Sequence, residues 1–307
     1  MSNTNLKITL EDFQNQKYEI PKDDYIYYIN NPKFYSCWNN IFYSTIKKRL
    51  LIYLKYKLPR LLRNDFSKNN IYLLGFSNKS IDSEDYIKKI LNSYEKLKRQ
   101  DIIVVLGKGD YEITDEFADD VPDNIKLIYA NNINTENSRF RYLPMGRDFR
   151  SSNLFTEIKP EYKKDCLCYC NYSINTHFQR IELYNLIKDK QFIDFNHMGN
   201  FGDYSMSRRD YFEKVSKSKF TICPRGNGID TFRLWDSIYL GAIPIVVKEA
   251  VFHEYLDELP ILLLNNYDEF KNLNKQFLED TYQKMLKNKY NYNKLLLSFW
   301  INEIEGC

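Results

Sequence analysis

The chain has 307 residues, room for one large domain or two of ordinary size, and 43% hydrophobic against 28% charged residues is a globular balance. Aromatic residues reach 16%, which excludes a disordered tail. With 44 basic and 41 acidic residues the net charge is only +3, so composition gives no reason to expect nucleic-acid binding.

Residues 1–14 are polar and carry acids, without the apolar centre of a signal peptide, and no run approaches the length of a membrane span. A cytoplasmic chain, at most peripheral to a membrane, is therefore expected. The first sixty-five or so residues read as mostly helical. Among them Lys47, Lys48, Arg49, Lys55, Lys57, Arg60 and Arg63 interleave with leucines and Ile52. An ordinary amphipathic helix is the favoured reading of 47–63, and contact with an anionic membrane surface is the alternative.

Strand-like runs follow at 71–76, 102–106 and 125–130, with apolar residues at helical spacing over 83–98. Strand, helix, strand is the rhythm of a parallel sheet. A further short strand at 139–145 ends in Pro-Met-Gly. The second half repeats the rhythm: strands at 165–170, 192–195, 219–223, 243–247 and 261–264, and helices at 175–188, 207–216 and 230–240. From Tyr267 onward the pattern is helical to the end. Two α/β units are expected, residues 1–150 and 151–307, with the last helices able to pack back on the first unit. Ligands of such an architecture bind in the crevice between the units.

Cys166, Cys168 and Cys170 alternate, so a strand turns them to one face. Zinc thiols are usually spaced CxxC, and this CxCxC reads as small buried hydrophobes. No disulfide framework is visible, in keeping with a reducing compartment.

The chemistry concentrates between Cys223 and Pro244. A strand ends at Cys223, and Pro224, with no N–H to donate, stops the ladder. Gly226, Asn227 and Gly228 allow a tight turn and a close approach to a ligand. Asp230 or Thr231 can cap the next helix, whose free N–H groups and dipole favour an anion. Arg225 lies in the loop and Arg233 in the first helical turn, a set that suits a diphosphate. Asp236, three residues after Arg233, can share its helix face and accept bonds from vicinal hydroxyls. Neither a Walker loop nor a complete GxGxxG is present.

Cys223-Pro-Arg-Gly, then Arg233-Leu-Trp-Asp, then Leu240-Gly-Ala-Ile-Pro-Ile-Val, resembles the donor-binding signature of exostosin-type glycosyltransferases and related transferases of bacterial and viral polysaccharide synthesis. The resemblance implies a GT-B fold, two Rossmann-like domains facing across a cleft, the second binding a nucleotide-sugar, here a UDP-sugar. It also implies inverting transfer to a saccharide hydroxyl. Arg225 and Arg233 would meet the diphosphate, together with Gly226, Asn227, Gly228 and Thr231. Asp236 and Asp230 would hold the ribose or sugar. The eukaryotic family's Golgi anchor does not carry over, because no signal anchor is seen.

Within that frame, Ser173, Asn175 and Thr176 can cap a helix carrying Arg180, a second anion site in which Ser173 and Asn175 would face the donor and Arg180 its diphosphate. His177 is either a ligand or base, or a plain helix-start residue. The loop with Asn196, His197, Gly199, Gly202 and Asp203 either touches the nucleobase or is surface. Inverting transfer needs a general base, and Asp82 and Asp110, after the first two strands, are the candidates beside plain helix caps. Asp23-Asp24 and Asp119-Asp120 lie in polar loops and not at a strand end, so metal-independent catalysis without a cofactor is expected. The alternatives are a non-catalytic nucleotide- or carbohydrate-binding module of this fold, and a membrane-peripheral scaffold.

Overall fold

In a computed structural model, the structure describes residues 7–21, 24, 27–28, 70–73, 88, 91–92, 102–106, 110–196 and 206–306. The stretch 47–63, the loop 75–82 and most of the helix expected at 83–98 lie outside them.

Strands β1 (Lys7–Thr9) and β2 (Tyr27–Tyr28) precede a four-stranded parallel sheet of β3 (Asn70–Leu73), β4 (Ile102–Leu106), β5 (Ile125–Ala130) and β6 (Phe140–Tyr142), paired in that order. After β7 (Arg147–Asp148), a second sheet is built from β8 (Cys166–Cys170), β9 (Ile193–Phe195), β10 (Ser218–Ile222), β11 (Ile243–Val247) and β12 (Leu262–Leu264). Its spatial order is β12-β11-β10-β8-β9 and every pair is parallel. Near-continuous apolar runs explain this choice. Ile102–Leu106 reads Ile-Ile-Val-Val-Leu and every residue of Ile243–Val247 is buried, as strands covered on both faces require. The α/β expectation with parallel sheets holds, and β13 (Lys289–Asn291) is the last strand among the described residues.

Local signals place the helices. Ser207 accepts the Asp210 N–H ahead of Arg208–Ser216, and Asn274 accepts the Phe277 N–H ahead of Lys275–Leu286. Phe232–Tyr239 ends at Gly241, whose φ of +71° is the left-handed helix stop that glycine takes without strain.

Three expectations are corrected. Asp119, placed in a polar loop, ends a short helix, Asp115–Asp119, that Thr114 caps. The helix expected from 175 starts at Phe178, after a 3-10 turn at Ile174–Thr176. The C-terminal region is not helical throughout: β13 interrupts it and pairs antiparallel with β1. Periodicity in 267–307 could not reveal that pairing, since its partner lies at the other end of the chain.

Both ends of the chain cross over. The Gln14 amide donates to the Gly241 carbonyl at 2.7 Å, so the N-terminal segment is held on the second unit. Helix Leu297–Glu305 returns to the first: Asp24 accepts from the Ser298 N–H and hydroxyl at 2.7 Å each, and Trp300 meets the Tyr142 ring edge-on at 6.3 Å.

Candidate functional site

The second sheet changes direction at β8. The chain leaves β8 for β9 on one side and returns to β10 on the other. Crevices beyond the carboxyl ends of strands at such a switch point are where open α/β sheets bind ligands. Two loops emerge there, 171–177 from β8 and 223–231 from β10, each leading into a helix.

Arg180 ties these loops together. Its Nε donates to the Arg225 carbonyl at 2.6 Å, Nη1 to the Ser173 carbonyl at 2.9 Å and Nη2 to the Pro224 carbonyl at 3.2 Å. The guanidinium is buried over the Tyr172 ring, and burial, then Arg233 close by, push it down to about 9. A Cβ on Gly226 would stand 3.1 Å from Arg180 Nη2, so glycine lets the loop lie against this arginine. The expected phosphate ligand Arg180 is therefore a brace: its donors are directed at loop carbonyls.

Arg225 and Arg233 differ from it. The Nε of each is buried yet finds no hydrogen-bond partner among the described residues. Arg225 reaches Glu112 of the first unit by one contact, Nη2 to Oε2 at 3.4 Å. Burial raises the Cys170, Cys223 and Tyr169 groups, and the Arg233 charge opposes that rise in each, which places it near the ends of β8 and β10. His177 Nδ1 is likewise buried without a partner among the described residues, and burial, then Arg225 and Arg180, lower the imidazole from its ordinary value. Thr231 starts helix Phe232–Tyr239 with its hydroxyl uninvolved in capping. Two guanidinium groups with buried, unpartnered Nε–H donors thus lie beside a helix start, and donors of this kind pair with anionic oxygens.

The first unit closes over this loop. Asn132, at the end of β5 with a φ of 53°, accepts the Asp230 N–H at 2.7 Å, and its side chain would stand 2.9 Å from a Cβ on Gly228. Gly228 is thus required by contact between the units. Neither Gly226 nor Gly228 has a positive φ, so the turn itself did not demand them.

The two expected ribose-binding acids are elsewhere. Asp236 is 3% exposed and meets Arg147 Nε at 3.1 Å, with the guanidinium packed 3.6 Å from the Phe155 ring centroid. Asp236 does point from the helix of Arg233, but inward, at Arg147. Asp230 is 1% exposed and does not cap through its side chain the helix that follows. It accepts from Trp235 Nε1 at 2.7 Å, the Met145 N–H at 2.8 Å and Tyr142 Oη at 2.9 Å, fastening the crossing segment to the second unit. Burial pushes its carboxyl up to about 6, against those donors.

Ser173 offers its carbonyl to Arg180, its side chain makes no cap bond, and Asn175 is exposed. Asn227 is an exposed loop tip. Asp110 is exposed in a bend, while Asp82, His197, Gly199, Gly202 and Asp203 lie outside the described residues. Asn196 is described and sits beside Tyr169.

Sequence reading missed Glu112, Asn132, Asn134 and Glu249. Glu112 accepts from Asn134 Nδ2, and Asn134 Oδ1 accepts the Val251 N–H of the second unit at 3.3 Å. Glu249, after β11, has its carboxyl raised by burial and opposed by Arg225. The available signal was the Asn131-Asn132 pair straight after an apolar strand, since asparagine tolerates the left-handed turn that β5 ends in.

No curated protein matches the sequence. Among solved structures, the crystal structure of an α1,3-fucosyltransferase is similar, with 15% identity, 79% of each chain covered and a TM-score of 0.43. Residues 147–269 match the family model of the RXYLT1 C-terminal domain, a glycosyltransferase-related family, and that span contains the β8–β10 switch point with Arg180, Arg225 and Arg233.

Proposed function

We propose that the protein is a glycosyltransferase of GT-B type that takes a nucleotide-sugar donor at the switch point and transfers the sugar to a saccharide hydroxyl. One observation carries this reading: Arg225 and Arg233 present buried, unengaged N–H donors at the β8–β10 crevice, inside the span that matches a glycosyltransferase-related family. In the reaction the bond between the anomeric carbon and the diphosphate breaks. The electron pair leaves on the diphosphate, and fixed positive charge there stabilises the developing negative charge. Arg180 acts through the loop by holding the Pro224 and Arg225 carbonyls. The donor is a UDP-sugar in the finer form of the proposal, which the sequence resemblance supports, and transfer is inverting.

A thermal-shift screen with nucleoside diphosphates and nucleotide-sugars tests it, because a ligand of the folded state raises the melting temperature by mass action. A rise with a nucleotide is expected, and Arg225→Ala should abolish it. Indifference of the wild type to every nucleotide would sink the reading.

A further inference from the structure

Glu112 and Arg225 belong to different units, and the contact between them is poorly made for an ion pair. It is a single contact of 3.4 Å, longer than the usual 2.7–2.9 Å of a charge-assisted bond, between side chains 16% and 30% exposed. Arg225 Nε meanwhile lies buried with no partner among the described residues. A diphosphate offers the same guanidinium several oxygens and more negative charge, so it outcompetes one distant carboxylate oxygen. Glu112 is anchored independently of Arg225. Its other oxygen accepts from Asn134 Nδ2, and the segment is pinned where the Ile113 N–H donates to the Asn132 carbonyl at 3.0 Å and the Asn134 N–H to the Ile113 carbonyl at 2.8 Å. Loss of Arg225 to a ligand therefore leaves the Glu112 carboxylate in place, facing the site. Around it stand Arg225, His177 and Glu249.

Resting on the glycosyltransferase reading, we propose that Glu112 holds Arg225 while the site is empty, that the donor diphosphate takes Arg225 from it, and that the freed Glu112 carboxylate is the catalytic base. The acceptor hydroxyl oxygen then forms its bond to the anomeric carbon while the bond to the diphosphate oxygen breaks. The hydroxyl proton goes to Glu112, and the electron pair departs on the diphosphate. The exchange orders the reaction: the base becomes available only after the donor has engaged the arginine.

Glu112→Gln separates the two halves, since it removes the charge and keeps an oxygen for Asn134. Calorimetric titration with inorganic pyrophosphate, UDP and GDP reads the exchange, and release of UDP or GDP from a panel of UDP- and GDP-sugars reads the base. Binding should tighten by about 2- to 5-fold, the size of a weak exposed pair removed. Release should fall by about 100-fold or more without a rise in the KM of the donor. Glu112→Asp, which keeps a carboxylate, should recover part of the release. A purely structural Glu112 would loosen binding when altered. Unchanged or weaker binding in Glu112→Gln overturns the exchange, and unchanged release, or none from the wild type although it binds, overturns the base. If wild type binds none of the three probes, the donor reading itself falls and the exchange with it.

Discussion

Arg233 and Asp236 lie three residues apart on one helix and belong to two clusters of charge that differ. At the junction, Asp236 faces Arg147 and the neighbouring Asp230 collects three donors, all buried. At the switch point, Arg233 and Arg225 are also largely covered, yet their Nε donors are unengaged. Burying a charged donor without a partner is costly, and on the proposed reading the Nε donors left open at Arg225 and Arg233 are met by the donor diphosphate, whereas the Asp236 carboxylate is already paired within the fold. The junction holds the units together, and the switch point uses the rigidity that results.

The sharpest way to break this contrast is Asp236→Ala, which removes the carboxylate paired with Arg147. Unfolding in urea should show a loss of about 3–5 kcal/mol, as expected when one partner of a buried pair is removed. A loss under 1 kcal/mol would show that Asp236 is not a junction residue. The pH dependence at Asp230 comes next. Its folded carboxyl, near 6, holds a proton more tightly than an unfolded aspartic acid near 3.8. Its contribution is therefore fully present below pH 3.8 and is lost as pH rises through 6, by up to about 3 kcal/mol. Asp230→Asn, compared with wild type by urea unfolding at pH 4 and pH 7, should gain relative stability at the higher pH, and a constant difference would contradict the assignment.

At the switch point the effect should move from folding to binding. Arg233→Ala should leave the melting temperature of the free protein within a degree or two, because no described partner is lost, while weakening nucleoside diphosphate binding by about 2 kcal/mol. A stability loss without a binding loss would make Arg233 structural. The smallest effect is at the contact between the regions. Gly228→Ala places a methyl group 2.9 Å from the buried Asn132 amide and should cost about 1 kcal/mol of stability. The same change in an Asn132→Gly background should be nearly neutral.

The contrast also explains what was legible in advance. The strands of both sheets could be read because buried parallel strands are near-continuous apolar runs: Ile243–Val247 matches its expected bounds, and Ser218–Ile222 begins one residue early. The Gly241 helix stop and the Arg225–Arg233 loop were legible for the same reason, being local. Asp236 was not, because spacing on a helix puts it near Arg233 without saying that Arg147, 89 residues away, lies closer. Gly228 was rightly singled out for close approach, but what approaches it is Asn132, carried there by another sheet. Glu112 carried no signal, as one acid in a polar loop.

By itself the sequence determined the strands of the two parallel sheets, the two-unit rhythm and the composition of the loop after β10, since these rest on periodicity and on the backbone preferences of glycine and proline. Only the tertiary structure decided which charges are engaged within the fold and which keep unpartnered donors. A charge is satisfied by groups from elements distant along the chain, and the partners of Arg180, Asp230 and Asp236 meet them only once both sheets have formed and the loops at their carboxyl ends have come together.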